Sequence, residues 1–122
     1  RCALIFNEEL IILGDNLGNI SGKLIKSSLI SKKNEDLWKY KISNAPISCL
    51  VKYKINFILI SDKSYESAVF LFSIYNNSVT PIKKFITEIN QIYSLIIYDF
   101  KYVFCGMKNG NITIFDLIEE LE

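Results

Sequence analysis

The apolar residues of this chain fall into short runs, among them Leu10-Ile11-Ile12-Leu13, Phe57-Ile58-Leu59-Ile60, Val69-Phe70-Leu71-Phe72 and Leu95-Ile96-Ile97. Asn, Gly, Asp, Ser and Lys separate them. Runs this short, rich in Ile, Val, Phe and Tyr, carry strand chemistry, and the 3.6-residue period of an amphipathic helix fits them poorly. Recurrence every ~8–12 residues predicts an all-β fold. The strands expected are 2–6, 9–14, 19–26 and 36–42; then 47–53, 56–61, 68–74 and 79–86; then 92–98, 101–106 and 111–117. Around Trp38 a short helix over 35–42 competes with the strand reading.

A repeat favours the strand. Lys101 to Ile112 matches Glu9 to Ile20 without a gap, as four apolar-rich positions followed by Gly-x-x-x-Gly-Asn-Ile. A third copy, Asn56 to Asp62, lies midway. Upstream, Cys2-Ala3-Leu4, Cys49-Leu50-Val51 and Ser94-Leu95-Ile96 occupy one equivalent position. Downstream, Val69 to Phe72 aligns with Ile112 to Phe115, with two residues inserted in the middle loop. A period of about 46 residues with four strand-like runs is the signature of a β-propeller blade. The chain therefore reads as a partial propeller of four-stranded antiparallel blades: a first over 2–42, a second over 47–86, and a third over 92–117 without its outer strand. Gly14, Gly18, Gly106 and Gly110 flank a tight turn that calls for positive φ or close packing.

The third copy carries a family resemblance. Ile92 to Leu117 resembles a WD repeat: a strand, a turn, a second strand ending near Gly106, the Asn109-Gly110 turn, and a strand ending in Phe115-Asp116 where the family has Trp-Asp. The likeness extends over all three copies and is thinnest in the second, where Phe72-Ser73 takes the Trp-Asp position. The family's Gly-His pair is absent, so its buried Asp-His-Ser/Thr-Trp network cannot form. Asp15 and Asp62 stand near the turn where the family often has Asp, and the third copy has Met107. Apolar packing between sheets must then hold the blades, at ~25 cal/mol per Å² buried.

The resemblance implies a non-catalytic scaffold that binds other proteins or peptides through the loops between second and third strands and between blades. Those positions are Asp15, Asn16 and Leu17; Lys63 and Tyr65; Lys108 and Asn109; and Asn44 and Gln91. Tyr65, an aromatic in the loop with the insertion, is the leading anchor. Three blades leave two apolar faces uncovered. The remaining blades are expected from the same longer chain or from other copies, and a start at Arg1 rather than Met fits a processed chain or a piece of something longer.

Composition narrows the chemistry. The net charge is +1 over 122 residues, with no basic excess to neutralise a phosphate backbone, so nucleic acid is not an expected partner. There is no histidine, which removes Ser-His-Asp triads, Cys-His pairs and histidine-held metal. Cys2, Cys49 and Cys105 lie in apolar runs without a Cys-x-x-Cys, as buried reduced thiols of an intracellular protein do. Glu8-Glu9, Glu35-Asp36 and Glu119-Glu120 are adjacent pairs whose side chains diverge on a strand. The Asp15-Asn16-Leu17-Gly18-Asn19 loop offers too few oxygens for calcium. No catalytic residue, metal or cofactor is expected, and no run approaches the ~18 residues of a membrane span. Ser27 to Glu35 reads as a mobile connection. Two other readings stay open: a fragment of a catalytic or ligand-binding propeller, and a small β-barrel holding an apolar ligand.

Overall fold

A computed structural model of the chain describes residues 2–26, 35–64, 68–86 and 90–117. Among the described residues there are eleven strands: β1 (Cys2–Ile5), β2 (Leu10–Gly14), β3 (Asn19–Leu24), β4 (Trp38–Lys41), β5 (Ile47–Tyr53), β6 (Phe57–Asp62), β7 (Ala68–Tyr75), β8 (Ser78–Ile86), β9 (Ile92–Tyr98), β10 (Tyr102–Met107) and β11 (Ile112–Asp116). Trp38–Lys41 is a strand paired to β3, not a helix. The segment expected to be a mobile connection lies, apart from Glu35, outside the described residues, as do residues 118–122.

The fold is all-β. Among the described residues, chain neighbours pair antiparallel into three sheets: β1-β2-β3-β4, β5-β6-β7-β8 and β9-β10-β11. Among the described residues the strands do not join into one barrel. Hairpin turns supply the reversals. Asn76 and Asn77 both take positive φ between β7 and β8, a conformation that Asn tolerates and a two-residue hairpin requires.

The sequence repeat is also a repeat of pairing register. Gly14 opposes Ile20, Ser61 opposes Val69, and Gly106 opposes Ile112. On the other side Cys2 opposes Gly14, Cys49 opposes Ser61, and Ser94 opposes Gly106. A register shift recurs at one place in the second and third sheets, at Ser48 and at Tyr93. Because strand side chains alternate with period two, matching registers send matching residues to matching faces.

The sheets stack through two cores. Phe6, Leu10, Ile12 and Ile20 of the first sheet meet Ile47, Leu50, Ile58, Ile60, Phe72 and Ile74 of the second. Leu59, Val69, Leu71 and Phe85 on the second sheet's other face meet Ile92, Leu95, Val103, Cys105 and Met107 of the third. The second sheet is thus covered on both faces, and β6 is buried at Ile58 through Asp62. β2 and β10 alternate between buried and half-buried positions. Each interface carries an aromatic pair from corresponding strands: Tyr40 meets Phe72 edge-on at 5.2 Å, and Phe85 stacks on Phe115 at 5.1 Å. Such pairs add roughly 0.5–1.5 kcal/mol beyond their burial. In the first sheet the corresponding residue is Lys23, paired to Asp36 at 2.7 Å.

Candidate functional site

Antiparallel meanders place the β2–β3, β6–β7 and β10–β11 turns at the same end as the β4–β5 and β8–β9 connections. Hydrogen bonds link these loops from sheet to sheet. The Ile47 N–H donates to the Asp15 carbonyl at 2.9 Å, and the Lys63 N–H donates to the Pro46 carbonyl at 2.9 Å. The Gln91 side-chain amide donates to the Lys63 carbonyl at 2.8 Å. The Lys108 N–H donates to the Gln91 carbonyl at 2.9 Å. Of the sequence-derived loop residues, Asp15, Lys63, Gln91 and Lys108 are therefore tied into one edge. Asn16, Leu17, Asn44 and Asn109 are exposed on the same loops. Tyr65 lies outside the described residues.

Each turn is held by its own polar side chains. Asp15 accepts from the backbone N–H groups of Leu17 and Asn19 and from the Asn19 side-chain amide. Burial pushes its carboxyl up, but those bonds outweigh it, Lys39 adds to them, and the pKa falls below the ordinary 3.8. Asp62, buried, accepts from the Ser64 N–H and hydroxyl. In the third turn Asn109 accepts from the Asn111 N–H at 3.0 Å. The carboxylates therefore do turn-holding work, and the face presents amides, lysines and Leu17.

Sequence reasoning missed Tyr93. Its ring lies 5.1 Å from the Lys63 ammonium, and its hydroxyl donates to the Gln91 side-chain oxygen at 3.4 Å. It sits inside a strand, and the register shift beside it has no signature in residue types. The thiols repeat a contact between sheets: Cys2 donates to the Ile47 carbonyl at 3.8 Å, and Cys49 to the Tyr93 carbonyl at 3.3 Å. Burial, with Cys49 nearby, raises the Cys2 thiol and pushes Cys105 up to about 12. All three cysteines are free.

Among the described residues no cluster of three or more Cys, Asp or Glu side chains is arranged to hold a metal ion. Among them, too, no helix is long and apolar enough to cross a membrane. No protein-family model matches the chain, and no curated protein is significantly similar to it.

Proposed function

We propose that the chain is part of a WD-like β-propeller that serves inside the cell as a non-catalytic scaffold, docking other proteins or peptides on the linked loop end. The observation that carries the reading is the equivalence of faces. Cys2, Leu4, Phe6, Ile12 and Ile20 pack under the second sheet. The residues 92 positions on in the repeat are Ser94, Ile96, Tyr98, Phe104 and Ile112, and they line the third sheet's open face. Ile20 is 0% exposed and Ile112 is 67% exposed. A face built like a covered one is what a stack of more than three sheets requires. Free thiols favour a reducing compartment.

The docking role rests on the loop end: exposed amides, lysines and Leu17 held on a rigid hydrogen-bonded edge suit binding rather than group transfer. The test is site-specific photocross-linking in cells. A cross-linker at Asn16, Lys63 or Lys108 is expected to capture the same protein from all three positions, and one at Asn76, in the β7–β8 turn, to capture none of it. Capture from Asn76 alone, or from no loop position, refutes the docking role.

A further inference from the structure

On the outer side of the stack, β4 and β8 border a groove of about 230 Å³ between the first and second sheets. Tyr40, Phe70 and Phe72 line it, so its walls are aromatic. A β-bulge supplies a further apolar side chain. Leu71 pairs with Lys83 and Phe72 pairs with Pro81, which leaves Ile82 as the extra residue of β8. Bulges re-aim side chains, and this one leaves Ile82 on the groove at 49% exposure. Lys41 and Lys84 border the same groove, and no acidic residue is among its described lining. Lys84 holds its ammonium 5.6 Å from the Phe70 ring, so positive charge stands directly over the apolar wall. β4 is an edge strand among the described residues.

We propose that this groove docks an extended peptide segment carrying one bulky apolar side chain among acidic residues. The apolar side chain packs against Ile82 and Phe70. The flanking carboxylates reach Lys41 and Lys84, and the peptide backbone pairs with the open edge of β4, as strand addition does elsewhere. The lysines set the approach rate and its salt dependence, and the anchor sets the residence time. This surface is separate from the linked loop end and depends neither on the repeat nor on the scaffold reading.

The experiment is fluorescence anisotropy with a short fluorescein-labelled peptide in which one leucine is flanked by glutamates. Its controls replace the leucine by serine, or the glutamates by lysines. The full chain is expected to bind the acidic leucine peptide and to bind both controls about tenfold more weakly or less. Ile82→Asp and Lys84→Glu are each expected to weaken binding about tenfold, while a Lys108→Glu variant at the loop end leaves it unchanged. Both groove residues are exposed, and circular dichroism verifies that the variants fold. Absent binding, equal binding of the lysine control, or binding unmoved by either groove variant overturns the proposal. Loss in Lys108→Glu equal to that in Lys84→Glu overturns it as well, by moving the site to the loops.

Discussion

Gly18 and Gly110 occupy the same position of the repeat and share a backbone conformation, with φ of +85° and +88°. They differ in surroundings. A Cβ on Gly18 would run into the Ser43 carbonyl oxygen and lie 3.0 Å from the Ala45 oxygen; one on Gly110 would meet nothing within 4 Å. The atoms struck at Gly18 are backbone, so the β4–β5 connection itself must move. The Gly18 carbonyl also accepts the Ile42 N–H at 2.8 Å, and that bond moves with it. Gly110→Ala should therefore cost only the left-handed penalty, about 1–2 kcal/mol. Gly18→Ala adds overpacking of about 1–3 kcal/mol, for a total of about 2–5 kcal/mol. At about 4 °C per kcal/mol for a chain of this size, the melting temperature should fall by about 4–8 °C in the first case and about 8–20 °C in the second. Urea unfolding at constant m-value measures the difference directly. Asparagine separates the two terms, since it tolerates positive φ: Gly110→Asn should be nearly neutral and Gly18→Asn should remain costly. Equal losses at the two glycines, or a larger loss at Gly110, would refute the account of the β4–β5 contact.

Ile20→Ala should cost about 2–5 kcal/mol and Ile112→Ala less than about 0.5 kcal/mol in the isolated chain; denaturant midpoints read both, and comparable costs would mean that the third sheet's open face is already covered. Ile96→Asp with Ile112→Asp should reduce binding of an apolar dye and concentration-dependent association in sedimentation runs without loss of stability; unchanged dye binding counts against an exposed apolar patch. Cys105, pushed up to about 12 from 9.0, should alkylate at pH 8 about a thousandfold more slowly than an ordinary thiol. Its native state keeps a proton that the unfolded chain loses above pH 9, so this thiol's contribution to stability should fall as pH rises from 9 towards 12; Cys105→Val should flatten that slope in pH-dependent unfolding. Asp15 has the opposite sign: its contribution is present above about pH 4 and is lost on further acidification, and Asp15→Asn should flatten the acid limb of the same curve.

Strand positions were legible because each depends on a local property: a short apolar run bounded by turn residues. The expected strand over 56–61 and the observed Phe57–Asp62 differ by one residue at each end. The helical alternative at Trp38 was settled by register, since the repeat demands a fourth strand there and Gly22 leaves room for the indole ring against β3. The linked loop end was legible for a related reason: once a meander is assumed, turn residues fall at predictable ends. Tyr93 and Ile82 were not legible. Both stand at register shifts, and a one-residue insertion in a ladder depends on how two strands meet, which neither strand's composition records. The interior positions of Lys23 and Asp62 were equally silent, because a buried charge looks like a surface charge until its partner is known.

The residue of each sheet's first strand that lies opposite Gly14, Ser61 or Gly106 shows how the repeat governs stacking. Cys2 reaches the Ile47 carbonyl of the second sheet, and Cys49 reaches the Tyr93 carbonyl of the third. Ser94 holds the same position, lies on the open face and is exposed. A hydroxyl is a better donor to a carbonyl than a thiol, so the position keeps its donor on a face that no described sheet covers. The first sheet's opposite face behaves differently: Lys23 with Asp36 replaces the aromatic that Phe72 and Phe115 supply. An ion pair with one partner 35% exposed gains little from being covered. The two ends of the stack are therefore not equivalent. Among the described residues the third sheet's open face repeats the positions by which the first sheet packs on the second, while on the first sheet's open face the Lys23–Asp36 pair takes the place of the aromatic.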